Sequence, residues 1–135
     1  MKPLSILVAD DEEDIRVLVQ RWLLDEGHTV VLVANATEAA KLLTRIRFDV
    51  IVTDVIMPDG DGVQLSGDFK REQPQVRILA ISGGNRYMDR ENCVKIARGF
   101  GAHAALLKPF KREQLLEGIA AALAAESVPG GAGRI

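Results

Sequence analysis

Cysteine is almost absent from this chain of 135 residues: Cys93 is the single one, so no disulfide can form within it. The composition therefore favours a reducing cytoplasm as its compartment. No apolar run approaches the roughly 18 residues that a membrane-spanning helix needs, so we expect no membrane insertion. The N-terminal residues lack the apolar stretch and small-residue cleavage site of a signal peptide. The sequence also lacks a Gly-x-x-x-x-Gly-Lys-Ser/Thr loop for nucleotide phosphates.

Charge is unevenly distributed along the chain. The formal net charge is −2, with 47% apolar and 27% charged residues, as in one soluble globular domain. Residues 1–61 carry twelve acids and six bases, a net of −6, whereas residues 62–135 carry seven acids and eleven bases, a net of +4. Nucleic-acid-binding domains are usually more basic overall, so we expect no nucleic-acid partner.

Five apolar segments alternate with segments of helical periodicity, which predicts an α/β fold with a parallel sheet between two helical layers. The predicted strands are Leu4–Ala9, Thr29–Val33, the segment ending at Asp54, Val76–Ile81 and Ala104–Leu107. The predicted helices run from Ile15 to before Gly27, and over Ala36–Arg47, Val63–Gln73, Asp89–Phe100 and Arg112–Ala125. Precedent for doubly wound, flavodoxin-like (βα)5 folds supplies the strand order 2-1-3-4-5. Residues 1–125 then form the domain and residues 126–135 a flexible C-terminal tail.

Residue spacing within these helices predicts which side chains face the core. The candidates are Ile15, Leu18, Val19, Trp22 and Leu23 in the first helix, Ala39, Ala40, Leu43 and Ile46 in the second, and Leu115, Leu116, Ile119, Ala122 and Leu123 in the last. Either Asn35 or Thr37 is the expected cap of the second helix. The segment from Pro58 to Gly62 is predicted as loop.

Charged residues follow three of the predicted strands. Asp10 and Asp11 follow the first, Asp54 ends the third, and Lys108 follows the fifth. In the assumed strand order the first and third strands are neighbours, so their carboxylates converge and need a cation to remain ionised together. Hard oxygen ligands of this kind suit Mg²⁺. Lys108 adds a positive charge that can hold a phosphoryl oxygen or pair with Asp54.

The fourth strand ends in groups that can bind an anion: the hydroxyl of Ser82 and the backbone amides near Gly83. A carboxylate nucleophile beside Mg²⁺, a lysine and a hydroxyl is the set of groups needed to form an aspartyl-phosphate. Each part also has a simpler interpretation, as an acidic helix start, a turn or a strand exit. Their occurrence after different strands of one chain favours the functional interpretation.

The same residues fall into four motifs: Val8-Ala9-Asp10-Asp11, Asp54-Val55-Ile56-Met57-Pro58 with Gly62, Ile81-Ser82-Gly83 and Leu107-Lys108-Pro109-Phe110. In this order and spacing, over about residues 4–124, the sequence resembles the receiver domain of bacterial two-component response regulators, of the stand-alone type. The resemblance implies a signalling protein, not an enzyme with a separate substrate, although it would catalyse its own phosphorylation and dephosphorylation.

The resemblance implies how a metal ion would be held. Asp54, the phosphoacceptor, would bind Mg²⁺ directly together with Asp11 and the backbone carbonyl of Ile56. Asp10 would bind the ion through water.

For the phosphoryl group, the resemblance implies contacts with Lys108, Ser82 and the amide of Gly83, and a cis peptide bond between Lys108 and Pro109. A sensor histidine kinase or a histidine phosphotransferase would supply the group from its phosphohistidine. Phosphorylation would then alter the surface formed by the fourth helix, fifth strand and fifth helix, and so regulate a downstream protein target. We expect a monomer.

Two positions depart from the pattern that the resemblance implies. Ala105 stands where a switching Tyr or Phe is usual, so Tyr87 or Phe100 would have to substitute for it. Ile56 and Gly84 occupy positions that tune loss of the phosphoryl group, and neither side chain can position a water. We therefore expect slow dephosphorylation.

Three other functions share part of this sequence pattern. A phosphate shuttle or sink within a phosphorelay is a variant that the absence of an aromatic at Ala105 favours. A haloacid-dehalogenase-like phosphatase would need a second Asp where Ile56 stands, and a flavodoxin-like cofactor binder would need a glycine-rich loop where five acids stand. A cluster of bases is either an output face or a solvated surface: Arg86, Arg90, Lys95, Arg98, Lys111 and Arg112.

Overall fold

A single parallel sheet organises the chain in a computed structural model that describes residues 2–57, 60–83, 95, 99 and 101–125. Its strands are β1 (Ser5–Ala9), β2 (Thr29–Val33), β3 (Val50–Asp54), β4 (Arg77–Ser82) and β5 (Ala104–Leu107). They lie in the order β2-β1-β3-β4-β5, and every neighbouring pair is parallel. The predicted α/β class and strand order are therefore confirmed.

The described helices are α1 (Glu13–Asp25), α2 (Ala36–Leu43), α3 (Gly62–Glu72) and the C-terminal helix (Arg112–Ala124). Gly27 follows α1 with a positive φ of 90°, a conformation that glycine adopts without strain. The predicted helix Asp89–Phe100 lies outside the described residues apart from Lys95 and Gly99, which are helical. The predicted tail, residues 126–135, also lies outside them and stays a prediction.

Alternate residues of the strands pack on opposite faces of the sheet, as the period of two requires. Leu7 and Ile51 belong to a cluster with residues of α2 and α3, whereas Val8 and Val52 belong to one with residues of α1 and the C-terminal helix. All five residues of β3 are buried. This burial on both faces is what the continuous apolar run before Asp54 predicted.

Two of the predicted core positions were wrong. Leu18 is 39% exposed because Val19 and Leu23, four residues apart and both buried, form the centre of the packed stripe of α1. Ile46 is 37% exposed because α2 ends at Leu43, four residues before the predicted end. At the other end of α2, the side chain of Asn35 accepts a hydrogen bond from the Glu38 amide at 2.8 Å, so Asn35 is the cap.

A buried glutamine side chain explains the early end of α2. Gln73 accepts a hydrogen bond from the Phe48 amide at 2.8 Å and donates to the carbonyls of Leu43 at 2.9 Å and Ile46 at 2.5 Å. It thereby joins the segment after α3 to the end of α2 and the approach to β3. The loop prediction for residues 58–62 was wrong at Gly60 and Asp61, which pair antiparallel with Ile56–Met57, and at Gly62, which begins α3. Pro58 and Asp59 lie outside the described residues.

Candidate functional site

The ends of β1 and β3 bring two acidic side chains to the same edge of the sheet. Ala9 is in register with Thr53, so Asp10 and Asp54 follow these partners directly. Asp10 is completely buried and Asp54 is 6% exposed. The Asp10 amide donates to the carbonyl of Val33 at 3.2 Å, which fixes the chain where it leaves the sheet. Two buried carboxylates this close together remain ionised only if a positive charge lies nearby.

Lys108 supplies that charge from the end of β5. Its amide donates to the carbonyl of Ser82 at 3.0 Å, and its peptide bond to Pro109 is cis, as the resemblance implied. The ammonium nitrogen Nζ lies 2.9 Å from Asp10 Oδ2, 3.2 Å from Asp54 Oδ2 and 2.5 Å from Glu12 Oε1. The last contact was not predicted from the sequence.

The electrostatic balance at Lys108 favours its charged form. Desolvation on burial lowers the pKa of Lys108, but the contacts with Glu12 and Asp10 and the charge of Asp54 outweigh it and raise that pKa above its ordinary value. Oδ2 of Asp10 is buried and lacks a hydrogen bond of good geometry within the described residues, so its countercharge is the Lys108 ammonium. Three carboxylates against one ammonium leave a formal charge of −2.

The donor set fits a divalent cation. One carboxylate oxygen each from Asp10, Glu12 and Asp54 lies within 4.8 Å of the other two. Opposite ligands of an octahedral Mg²⁺ are about 4.2 Å apart, so the spacing of these oxygens suits one ion. Lys108 Nζ lies within 3.2 Å of an oxygen of each carboxylate and would have to move aside for the ion. The buried Oδ2 of Asp10, whose only ion-pair partner within the described residues is Lys108, is a further sign that this edge can accept a cation.

The predicted metal ligands do not all lie together in the structure. It brings Asp10 and Asp54 together, adds Glu12, and leaves Asp11 exposed outside that group. Direct binding by Asp11 and by the carbonyl of Ile56 stays a prediction. Sequence reasoning missed Glu12 because five acids in a row give no sign of which one turns towards the fifth strand.

Ser82 and Gly83 lie beside Asp54 in the sheet. Asp54 is in register with Ile81, so Ser82 is one position further along the neighbouring strand, where it is buried. Gly83 follows and is exposed, and a Cβ built on it would meet no atom within 4 Å. Both positions are compatible with binding a phosphoryl group on Asp54, which stays a prediction, and Gly84 lies outside the described residues.

Ala105 lies on the opposite face of the sheet from α1. It is in register with Ala80 and packs against the core cluster beneath α2 and α3. Tyr87 and Phe100, the aromatic residues proposed to substitute for it, lie outside the described residues. On the other face, the rings of Trp22 in α1 and Phe110 after β5 are 6.3 Å apart between centroids, at an angle of 60°.

Comparison with known proteins places this site in a family. The sequence profile described as the response regulator receiver domain matches residues 6–120. The DNA-binding transcriptional regulator NtrC of Azospirillum brasilense is 34% identical over 129 residues, which are 96% of this chain and 26% of that relative. This chain therefore spans about a quarter of the length of that regulator.

Within the described part of the chain, no helix is both long and apolar enough to cross a membrane.

Solved structures agree with the sequence comparison. The chemotaxis response regulator CheY4 of Vibrio cholerae gives a TM-score of 0.77 at 29% identity, covering 88% of this chain and 98% of its own. A response regulator from Burkholderia pseudomallei, solved with a phosphorylated aspartic acid, a calcium ion and citrate, gives 0.71 at 29% identity, covering 84% and 65%. The fold, the profile match and the acidic edge lead to one conclusion: the chain belongs to the response regulator receiver domain family of two-component systems.

Proposed function

We propose that this receiver domain accepts a phosphoryl group on Asp54 and uses the modified state to regulate a protein partner. The observation that carries the proposal is the position of the Asp54 carboxylate, buried at the end of β3 with Lys108 Nζ 3.2 Å away. The Burkholderia relative, solved with a phosphorylated aspartic acid, supports this chemistry.

The proposed reaction is an in-line transfer from a phosphohistidine on a sensor histidine kinase or a histidine phosphotransferase. A carboxylate oxygen of Asp54 attacks phosphorus, the new P–O bond forms as the P–N bond breaks, and the electron pair returns to the imidazole nitrogen. The Lys108 ammonium, already within 3.2 Å of Asp54, neutralises charge on the transferred oxygens. Burial of Asp54 keeps water away from the acyl phosphate, so hydrolysis is slow.

A divalent cation completes the site in this proposal. Asp10 and Asp54 would hold Mg²⁺, with Glu12 or Asp11 and the carbonyl of Ile56 as further ligands. When bound, the ion supplies positive charge that stabilises the equatorial phosphoryl oxygens. The domain catalyses its own phosphorylation and has no separate substrate to turn over.

The output is proposed to be a rearrangement of the surface formed by the predicted fourth helix, β5 and the C-terminal helix. Lys108 and Ser82 connect that surface to Asp54, because both lie at the strand ends that a phosphoryl group on Asp54 would contact. The small side chain of Ala105 favours a second candidate within the same system, a phosphate shuttle or sink.

Intact-mass spectrometry tests the proposal directly. The wild-type protein is treated with acetyl phosphate with and without Mg²⁺, beside Asp54→Asn and the control Asp14→Asn, which removes an exposed acid of α1. We expect a gain of one phosphoryl group in the wild type and the control that requires Mg²⁺, and none in Asp54→Asn. Equal phosphorylation of Asp54→Asn would refute the assignment.

A further inference from the structure

The carboxylate of Glu12 makes a contact that its local position does not require. Glu12 is the N-cap residue of α1, yet its side chain makes no capping hydrogen bond. Its Oε1 instead reaches Lys108 Nζ at 2.5 Å, joining residues 96 apart in sequence. Ser, Thr, Asp and Asn side chains at this position ordinarily bond to the first amides of their own helix. The Glu12 side chain contacts Lys108 instead.

The three carboxylates around Lys108 differ in their freedom to move. The side chains of Asp10 and Asp54 are 0% and 8% exposed, whereas that of Glu12 is 58% exposed. The Glu12 amide also donates to Asp10 Oδ1 at 2.8 Å, which holds Asp10 in place. Glu12 is therefore the one member of the trio that can turn away into water at little desolvation cost.

We propose that Glu12 restrains Lys108 in the unphosphorylated domain and thereby sets how tightly the site binds a phosphoryl group. The inference rests on the proposed function of Asp54. A phosphoryl oxygen that takes the Lys108 ammonium must displace the Glu12 carboxylate or share the ammonium with it. The same carboxylate adds negative charge beside an incoming anion, so both effects oppose phosphorylation.

Glu12 has the opposite effect on a divalent cation. Its oxygen belongs to the group that can hold the ion, and its charge offsets the repulsion that Lys108 exerts on a cation. Removing the Glu12 charge should therefore weaken Mg²⁺ binding and strengthen phosphoryl binding. Opposite changes in two affinities are not expected from a general loss of structure.

The test measures both affinities by isothermal titration calorimetry in four proteins: wild type, Glu12→Gln, Glu12→Asp and the control Glu13→Gln. Glu13 is the next residue, exposed and in the first turn of α1, so its variant removes the same charge one position away. Mg²⁺ is titrated alone, and beryllofluoride, a phosphoryl mimic, is titrated at saturating Mg²⁺. Glu12→Asp keeps the charge but shortens the side chain that reaches Lys108.

For Glu12→Gln we expect beryllofluoride to bind about threefold to fivefold more tightly and Mg²⁺ to bind more weakly by a similar factor, the range for a partly exposed ion pair. Glu12→Asp keeps the charge but withdraws the oxygen, so it should lie between the wild type and Glu12→Gln in both affinities, and Glu13→Gln should match the wild type in both. Equal beryllofluoride affinity in Glu12→Gln and Glu13→Gln would overturn the role of Glu12 alone. A wild type that binds no beryllofluoride would overturn the proposed function as well.

Discussion

Replacing Lys108 with Met is expected to destabilise the metal-free protein and to make Mg²⁺ a stronger stabiliser of it. The side chain of Lys108 is 10% exposed and is the countercharge for three carboxylates, two of them buried. Removing one partner of a buried ion pair costs about 3–5 kcal/mol. Because Glu12 remains in contact with water, we expect a loss of about 2–4 kcal/mol in the free energy of unfolding.

The same substitution is expected to increase the affinity of the site for Mg²⁺. Without the ammonium, the formal charge of the site changes from −2 to −3, so a cation is attracted more strongly. Each tenfold gain in Mg²⁺ affinity adds about 1.4 kcal/mol to the stabilisation at a saturating concentration. Mg²⁺ should therefore restore much of the stability that Lys108→Met loses.

Urea unfolding followed by circular dichroism at pH 7 measures both effects, in EDTA and at increasing Mg²⁺ concentration. Lys2→Met serves as the control because it removes an exposed lysine with no ion pair among the described residues. Two results would contradict the reasoning: a Lys108→Met stability in EDTA within about 0.5 kcal/mol of the wild type, the usual range for surface substitutions, or an equal gain from Mg²⁺ in both proteins.

Three further predictions concern the scaffold. Gln73→Ala should lower the free energy of unfolding by about 2–4 kcal/mol, since it removes two buried hydrogen bonds and a partly buried one. Gln75→Ala, at an exposed neighbouring position, should leave the free energy of unfolding unchanged in the same urea titration. Burial, then the charges of Arg77 and Lys70, lowers the pKa of His103 to about 4. Its contribution to stability is complete above the unfolded value near 6.5 and is lost as pH falls towards 4. Urea titrations from pH 7 to 4 should show that loss, and His103→Asn should reduce it; an unchanged slope would contradict the assignment. Asn35→Ala should cost about 1 kcal/mol through loss of the α2 cap, while Asn35→Asp should cost little.

The strands were predictable because buried strands appear in the sequence as short continuous runs of apolar residues. β2 and β5 match their predicted bounds at both ends, and the apolar run of β3 is buried throughout. Strand order was not readable from residues, since parallel pairing leaves no local signal, and it came from precedent for the fold. The end of α2 was missed because Gln73, 30 residues away from Leu43, takes the carbonyls that terminate it.

The site was predictable to the extent that its chemistry is tied to strand ends. Asp10, Asp54 and Lys108 each follow or end a strand, and the topology brings the Lys108 ammonium within hydrogen-bond distance of both carboxylates. Glu12 was not predictable, because an exposed acid at a helix start has the same sequence signature whether it caps the helix or reaches across the site. Only the position of Lys108 in three dimensions distinguishes the two roles.

The ring contact between Trp22 and Phe110 gives the domain an internal optical reporter. The chain contains one tryptophan, so all of its indole emission comes from this position on α1. Phe110 lies two residues after Lys108, so its ring joins the indole to the segment that carries the ammonium. A displacement of that segment alters the surroundings of a single chromophore. Stopped-flow fluorescence of unlabelled protein can therefore test whether that segment moves when Asp54 is phosphorylated.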